Sequence, residues 1–379
     1  PVTDGDANAD RNDILYTGFG VEVSHHSFHD FVWTPAGDLL FRESVFHHSQ
    51  VETPYGAVRA RDSAWFLYHP STKKLTAFGS YFNTNPWGVT YDSWGNHVAS
   101  HPVFASSFHA LNPKYPKTHI RANKSIQAYS GVCGHDFVNA ANWPKDMQGG
   151  FVKVRYKPTN RVEFHTWTKK DDHFAEKHVF NIIFSKNLSF IPVDCKFGPD
   201  GACYICDWYN PVKGHMQYAL RDPRRDRKSG RIWRILPKGA KAIKPNLTDG
   251  KSIDELVTML SAPEYRTRYR AKRALRSLDK KEVISALDKW ISKADTTPKA
   301  QIEALWVKQS FDALDLALLE KLIRGNDELI AASAYGTLRF WASELSAEKV
   351  NSLLSYGASH DSQHVRRETV ICASYVATE

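Results

Sequence analysis

The feature that most constrains the fold is a repeated pattern of a hydrophobic run, a tight turn containing glycine, and a second hydrophobic run. The clearest copy turns at residues 198–201, where Pro199 presets φ to about −65° and Gly201 accepts the positive φ that closes a hairpin. A second copy turns at residues 34–38, and a looser one turns at residues 92–96. Three copies indicate an internally repeated antiparallel β architecture.

Hairpins of another kind lie between these copies. One joins residues 65–70 to 75–78, and another joins residues 151–156 to 161–167. An inner hairpin followed by an outer hairpin makes one four-stranded blade of a β-propeller. Residues 28–236 therefore predict a partial propeller of about three blades. Closed propellers have roughly four to eight, so we expect the remaining blades to come from upstream sequence or from another chain.

After Pro245 the hydrophobic pattern changes from alternation to a helical period. Helices are predicted near residues 253–260, 269–278, 283–291, 300–307, 330–338 and 365–373. The spacing between Ala271, Ile302, Ala334 and Thr369 is roughly 30 to 35 residues, which is typical of a HEAT-like α-solenoid, with a helical bundle as the alternative. The sequence thus predicts a β-propeller portion at residues 1–244 and a truncated, all-α HEAT-like solenoid at residues 245–379.

Composition adds limits on the class of protein. The chain has 379 residues, 42% of them hydrophobic, which is enough for two cores. No apolar run approaches the ~18 residues that span a bilayer, so we expect no transmembrane segment. The chain begins at Pro1 without an apolar signal-type segment, which suggests that upstream sequence has been removed.

The net charge of +9 is concentrated between Arg221 and Lys244. Basic residues interleaved with Asp222 and Asp226 favour a structural ion-pair network that ties the last strands to the helices. An anion or nucleic-acid site is the alternative, but no recognition helix or stacking module accompanies the charge, and we expect no nucleic-acid partner. The expected network contains Arg221, Asp222, Arg225, Asp226 and Arg231.

A run of alternate oxygen-bearing side chains opens the chain. Such oxygens can converge on one hard cation as the loop wraps, which is calcium chemistry. The run lacks the glycine and the final glutamate of an EF-hand, and a solvated acidic linker is the alternative. The candidate calcium ligands are Asp4, Asp6, Asn8, Asp10 and Asn12.

Histidines gather before the first predicted strand. His25, His26 and His29 precede it, and His48 follows it in a second pair. Histidine suits general base catalysis near neutral pH and metal binding. The alternative for each histidine is a hydrogen bond to loop backbone.

Two further loops contain aromatic and amide side chains at predicted strand ends. One holds Asn85 and Trp87, and the other holds Asp207, Tyr209 and Asn210. An aromatic ring can stack on the C–H face of a sugar while amides bond its hydroxyls. The alternative is a Trp that packs between sheets and an Asn that caps a turn.

Several motifs together resemble the membrane-bound dehydrogenase family. They are residues 48–56 (HSQVETPYG), 85–88 (NPWG), 207–211 (DWYNP), 221–226 (RDPRRD) and 230–234 (GRIWR). The resemblance implies an exported, periplasmic or extracellular protein in which a sugar-dehydrogenase-like propeller precedes HEAT repeats. It also implies a c-type cytochrome domain or protein as a partner, and membrane association only through regions outside this chain.

The predicted propeller is also similar, more distantly, to soluble quinoprotein sugar dehydrogenases. This resemblance implies pyrroloquinoline quinone and calcium as cofactors, with His26 as the catalytic base and His25 as its alternative. It implies that His29, His48 and the residues of the two aromatic loops position a sugar. Thr84 stands where that family has a quinone-binding arginine, so a cation for the quinone carboxylates is missing there.

The predicted function is oxidation of a carbohydrate, with electrons passed to a quinone or cytochrome acceptor. The alternative is a non-catalytic module that binds glycan or protein as a scaffold. No haem is expected within this chain, because Cys203 and Cys206 are followed by Asp207 where c-type haem attachment requires a histidine.

Overall fold

The computed structural model describes residues 10–22, 27–43, 46–80, 88–100, 105–109, 120–121, 132–156, 160–212, 221–293 and 296–376. In these residues the N-terminal part consists of small antiparallel sheets, and the C-terminal part consists of eight α-helices. None of the described helices is both long enough and apolar enough to cross a membrane.

The first sheet has the strand order β1-β2-β5-β6, and a separate hairpin, β3-β4, is inserted after its second strand. The strands are β1 (His29–Trp33), β2 (Leu39–Arg42), β3 (His48–Thr53), β4 (Gly56–Arg61), β5 (Ala64–His69) and β6 (Lys74–Ser80). Gly37 closes the β1-β2 turn with φ +90° and donates its N–H to the carbonyl of Thr34. The glycine turn predicted here is therefore confirmed.

Three further sheets follow along the chain, with strand orders β7-β8-β9-β10, β11-β12-β13-β14 and β15-β16-β17. Their strands are β7 (Val89–Tyr91), β8 (His97–Ser100), β9 (Ala105–His109), β10 (Ile120–Arg121), β11 (Val132–Phe137), β12 (Phe151–Arg155), β13 (Arg161–Lys169), β14 (Phe174–Phe184), β15 (Pro192–Phe197), β16 (Cys203–Asp207) and β17 (Arg231–Ile235). The first strand of each sheet in chain order lies at one edge of that sheet.

The helices begin eight residues after the predicted domain boundary. They are α1 (Ile253–Thr258), α2 (Tyr265–Leu275), α3 (Lys280–Ile291), α4 (Pro298–Ser310), α5 (Leu316–Ile323), α6 (Glu328–Trp341), α7 (Ala347–Ala358) and α8 (Gln363–Val376). Side-chain caps start most of them. Ser252 forms a capping box with Glu255, and Thr297 caps α4 directly before Pro298 at its first position.

The helices pack against the turns of the sheets as well as against one another. Ala36, in the β1-β2 turn, is buried in the same apolar cluster as Trp306 and Trp341 of the helices. The Ser333 hydroxyl of α6 donates to the carbonyl of Trp94 in the β7-β8 turn at 2.7 Å. Sheets and helices therefore share one core at this boundary.

The prediction of a partial β-propeller followed by a HEAT-like solenoid is wrong. The described residues form separate antiparallel sheets of two to four strands together with eight helices, and no closed propeller is found among them. The predicted strands and turns exist, but alternation along a hairpin specifies only pairing within a sheet. It does not specify how sheets are arranged, or that the helices pack on their turns.

Candidate functional site

The first strands of the four larger sheets lie beside one another. β1 contacts β7, β7 contacts β11, and β11 contacts β15. A cavity of about 630 Å³ opens between these strands, and its wall includes residues from β1 and β15 together. We call this cavity the cleft. Its charged or titratable lining residues are His29, Asp30, Asp194 and Lys196, and its aromatic ones are Phe31, Tyr156 and Trp208.

Asp30 is held in place on the β1 side of the cleft. One carboxylate oxygen accepts the Nε–H of Arg42 at 2.6 Å, and the other accepts the backbone N–H of Gly88 at 2.6 Å. Arg42 is almost fully buried, and its guanidinium lies 4.9 Å from the ring centroid of Trp65. Asp30 itself has a φ of +59°, which is uncommon for a non-glycine residue. These contacts join β1 to the start of β7 and leave the Asp30 carboxylate ordered at the cleft wall.

Asp194 and Lys196 lie on the opposite side, two residues apart on β15. Because side chains of a strand alternate between faces, both project from the same face. The Lys196 ammonium donates to Asp194 and to the carbonyl of His135, each at 3.2 Å. Burial disfavours the charged form of Lys196, but the attraction of Asp194 and Asp136 outweighs this effect and raises the pKa of Lys196 to about 12. The cleft therefore presents a permanent cation beside two carboxylates.

Gly134 explains how β11 and β15 approach so closely here. A Cβ atom at this position would lie 2.5 Å from the Cα of Asp194, which is too close for any larger residue. The absence of a side chain at residue 134 thus places the Asp194 carboxylate in the cleft wall.

Two aromatic rings are exposed to the cleft. Phe31 is 61% exposed and Trp208 is 41% exposed, although large apolar side chains are usually buried. The Phe31 ring stacks on Phe41, with centroids 5.5 Å apart, which holds it in one orientation. An exposed ring of fixed orientation is a surface suited to stacking on a ligand.

The loop that follows β16 was predicted to position a sugar, and the structure gives its members different environments. Asp207 and Asn210 are buried. The Asp207 carboxylate accepts from the backbone N–H groups of Ile191 and Tyr209 and from the side chains of Arg231 and Trp233. The Asn210 side chain accepts the backbone N–H of Val212 and donates to the backbone carbonyl of Asp226. These two residues order the loop, whereas Tyr209 is only partly buried, with a φ of +45°.

Of the predicted histidines, His29 lines the cleft, and His48 lies elsewhere. The side chain of His48 is 56% exposed and pairs with Glu22 at 3.1 Å. Asp10 and Asn12, from the predicted calcium loop, are exposed. The remaining predicted residues, Asp4, Asp6, Asn8, His25, His26, Asn85 and Trp87, lie outside the described residues.

The predicted ion-pair network at residues 221–231 takes a local form. Arg224 pairs with Asp222, two residues away, and Arg231 pairs with Asp207. The Asp226 carboxylate accepts the backbone N–H groups of Lys228 and Ser229. These contacts lie within the last sheet and its loops. That the network also ties the sheet to the helices stays a prediction.

The sequence interpretation missed Asp30, Phe31, Tyr156, Asp194, Lys196 and Trp208. The signal for Asp194 and Lys196 was their spacing of two residues in a run that precedes a glycine turn, which placed both charges on one face of an edge strand. The signal for Phe31 was its place beside His29 in the first strand of the first hairpin.

The fold and the cleft define a mixed β and α protein with a largely apolar cavity where four sheets meet, and a few charged side chains lie on the wall of this cavity. In the described part of the chain, no group of three or more His, Cys, Asp or Glu side chains is placed to hold a metal ion. The family model of a domain of unknown function, DUF7133, matches residues 2–117 and 100–239, and the chain belongs to that family. A search of curated proteins gave no match to the chain.

Proposed function

We propose that the cleft binds carbohydrate. The observation that carries this proposal is the presence of two carboxylates, one ammonium group and two exposed rings on the wall of one cavity of about 630 Å³. The carboxylates of Asp30 and Asp194 accept hydrogen bonds from sugar hydroxyls, and the ammonium of Lys196 donates to them. The rings of Phe31 and Trp208 stack on the apolar C–H faces of a sugar.

The volume of the cleft falls in the usual range for small-molecule sites, which is roughly 300 to 1,000 Å³. A purely apolar ligand would leave Asp30, Asp194 and Lys196 without polar partners from the ligand, at a cost in desolvation. A sugar offers hydroxyl groups to the charged side chains and C–H faces to the aromatic rings. The charged side chains and the aromatic rings on the cleft wall therefore favour a ligand that has both hydroxyl groups and apolar faces, such as a sugar, over a wholly apolar one.

The test is a matched pair of substitutions. Phe31→Ala removes an exposed ring from the cleft, and Phe184→Ala removes a ring that is 58% exposed on β14, outside the cleft. We expect Phe31→Ala to weaken binding of neutral oligosaccharides by about tenfold, since a stacking ring contributes roughly 0.5–1.5 kcal/mol beyond its buried area. Phe184→Ala should leave the affinity for neutral oligosaccharides unchanged.

The measurement is isothermal titration calorimetry of wild-type protein and both variants, after a glycan array has selected the neutral oligosaccharide. Equal affinity of the wild type and Phe31→Ala, at unchanged melting temperature, would contradict the proposal. Absence of any neutral ligand from the array would do the same.

A second candidate function is oxidation of the bound carbohydrate. The observation that favours it is that His29 lines the cleft. His26, the base implied by the resemblance to sugar dehydrogenases, lies three residues before His29 in the sequence. Pyrroloquinoline quinone would supply hydride acceptance, and Lys196 is a cation suited to its carboxylates. Sugar-dependent dye reduction by protein given the quinone and calcium, lost in His26→Ala, would support this candidate over a binding module.

A further inference from the structure

One segment beside the cleft carries a large excess of positive charge. Residues 221–244 contain ten arginines and lysines and two aspartates, a net charge of +8 in a chain whose net charge is +9. Asp222 is engaged by Arg224, and Asp226 is engaged by backbone N–H groups. The two aspartates of the segment therefore neutralise little of its positive charge.

Arginine and aromatic side chains alternate along one surface of this region. We call it the arginine–aromatic strip, formed by Trp208, Tyr209, Arg225, Arg231 and Trp233. The Arg225 guanidinium lies 4.7 Å from the ring centroid of Trp208, and the Arg231 guanidinium lies 3.8 Å from that of Tyr209 and 5.4 Å from that of Trp233. Trp208 and Trp233 are each about 40% exposed, at 41% and 42%. Charged groups and ring faces are thus presented together to solvent.

Buried polar contacts hold the strip in this geometry. The fully buried carboxylate of Asp207 accepts both Arg231 Nε–H and Trp233 Nε1–H at 3.0 Å, which orients the two side chains on β17. The same carboxylate accepts the N–H of Tyr209 at 2.9 Å, where φ is +45°. A bulky residue in this backbone region is strained, and such strain is concentrated at functional sites. The strip is pre-organised by the fold.

The strip is continuous with the cleft. Trp208 lines the cavity, and the Arg225 guanidinium lies over the Trp208 ring. A ligand chain that leaves the cleft past Trp208 therefore meets Arg225 directly. In the described part of the chain, no carboxylate forms an ion pair with Arg225.

We propose that the strip binds an acidic polysaccharide built from uronic acids, whose chain continues out of the cleft. This inference rests on the proposed function of the cleft and names its ligand class. A planar carboxylate fits the guanidinium fork in bidentate fashion, and ring faces of Trp208, Tyr209 and Trp233 suit the sugar rings between the acidic groups. Inside the cleft, Asp30 and Asp194 accept hydrogen bonds from sugar hydroxyls, and the Lys196 ammonium is the cation available to a uronic acid carboxylate.

The first test compares two polymers with the same backbone. Polygalacturonate carries a carboxylate on each unit, and its fully methyl-esterified form carries none. We expect wild-type protein to bind the acid at least tenfold more tightly than the ester at low salt, and this preference to shrink as salt is added. Equal affinity for acid and ester would overturn the inference. Stronger binding of dextran sulfate or single-stranded DNA than of polygalacturonate would also overturn it, in favour of a general polyanion surface.

The second test uses matched charge removals. Arg225→Gln removes a strip cation, whereas Arg59→Gln removes an exposed cation from the β3-β4 hairpin. We expect Arg225→Gln to weaken polygalacturonate binding by roughly five- to tenfold and to leave binding of the ester within twofold. An effect of Arg225→Gln no larger than that of Arg59→Gln would contradict the proposal.

These outcomes separate this inference from the proposal for the cleft. Loss of neutral oligosaccharide binding in Phe31→Ala without any preference for the acid would leave the cleft proposal standing and remove this one. Binding of polygalacturonate that depends on Arg225 but not on Phe31 would support the strip as a site for acidic sugars. It would remove the proposal that the cleft binds the sugar.

Discussion

At the scale of single residues, Glu43 shows how burial changes the chemistry of a carboxyl group. The side chain follows β2 and is only 1% exposed. The Ser49 hydroxyl donates to one oxygen at 2.6 Å, while the other oxygen, Oε1, has no partner among the described residues. Burial, opposed by the Ser49 hydrogen bond and reinforced by the Glu22 carboxylate, raises the pKa of Glu43 to about 7. The protonated form is therefore the one that this site favours.

This shift predicts a pH dependence of stability. Since the pKa in the folded protein is above that of the unfolded chain, the contribution of Glu43 is fully present below about pH 4.5 and is lost as the pH rises through about 7. At about 1.4 kcal/mol per pKa unit, the loss is on the order of 3 kcal/mol. Urea unfolding across this pH range measures it.

Glu43→Gln should remove this part of the pH dependence, because an amide does not titrate. Glu52→Gln, an exposed change on β3, should leave the dependence as it is in the wild type. If the pH profiles of wild type and Glu43→Gln coincide, Glu43 does not titrate in this range.

At the scale of elements, the sheet β11-β12-β13-β14 contains a buried ionic network. Lys153 and Arg155 alternate with apolar residues on β12, a pattern that normally places charges in solvent. Here Lys153 pairs with Glu176 at 2.7 Å, and Arg155 pairs with Glu163 at 2.6 Å. All four side chains are at most 3% exposed. Burial acts against ionisation of Glu163, but His165 and Arg155 outweigh it and lower its pKa to about 2.

Glu163→Gln should destabilise this sheet strongly. The change removes one partner of the buried Arg155–Glu163 ion pair, which typically costs about 3–5 kcal/mol. Lys177→Gln, on an exposed position of β14 in the same sheet, should change the free energy of unfolding by less than about 0.5 kcal/mol. Chemical denaturation of both variants measures the difference, and similar midpoints would show that the network does not contribute.

At the scale of the whole molecule, the helices are attached to the sheets by polar contacts at the turns. Arg266 of α2 donates to the carbonyl of Phe197 at 2.8 Å and to the Asp136 carboxylate at 3.3 Å. Lys299 of α4 donates to the carbonyl of Ser93, and its ammonium lies 4.8 Å from the ring centroid of Trp94. Burial favours the neutral form and lowers the pKa of Lys299 to about 8, although Glu303 opposes this shift. Sheets and helices are therefore expected to unfold together.

Arg266→Met should lower the melting temperature and reduce the free energy of unfolding by about 2 to 3 kcal/mol. The expected loss is that of hydrogen bonds to a charged partner, because Asp136 keeps its bonds from the backbone N–H groups of Phe137 and Phe197. Lys281→Met removes an exposed lysine from the next helix, α3, and should have little effect. Thermal unfolding followed by circular dichroism and by tryptophan fluorescence tests this, and two separate transitions in the wild type would contradict a shared core.

Within the cleft, sequence reasoning found His29 and the loop after β16 but assigned the loop a different task. An aspartate at a strand end often binds a ligand, yet the Asp207 carboxylate accepts hydrogen bonds from four donors in three segments of the chain. Phe31 and Lys196 were missed because an aromatic or a lysine in a strand is common, and only the meeting of β1 with β15 puts them on one wall.

The sequence by itself determined the local structure: hairpins at the glycine turns, and helices where apolar residues recur with helical spacing. It missed α5, which has only eight residues, and α7, although Asp315 and Ser346 cap them. Only the tertiary structure decided how the sheets are arranged, that helices pack on the β-turns, and that Lys153 and Glu163 are buried. The physical reason is that turns and alternation act over a few residues, whereas burial depends on which distant surfaces meet.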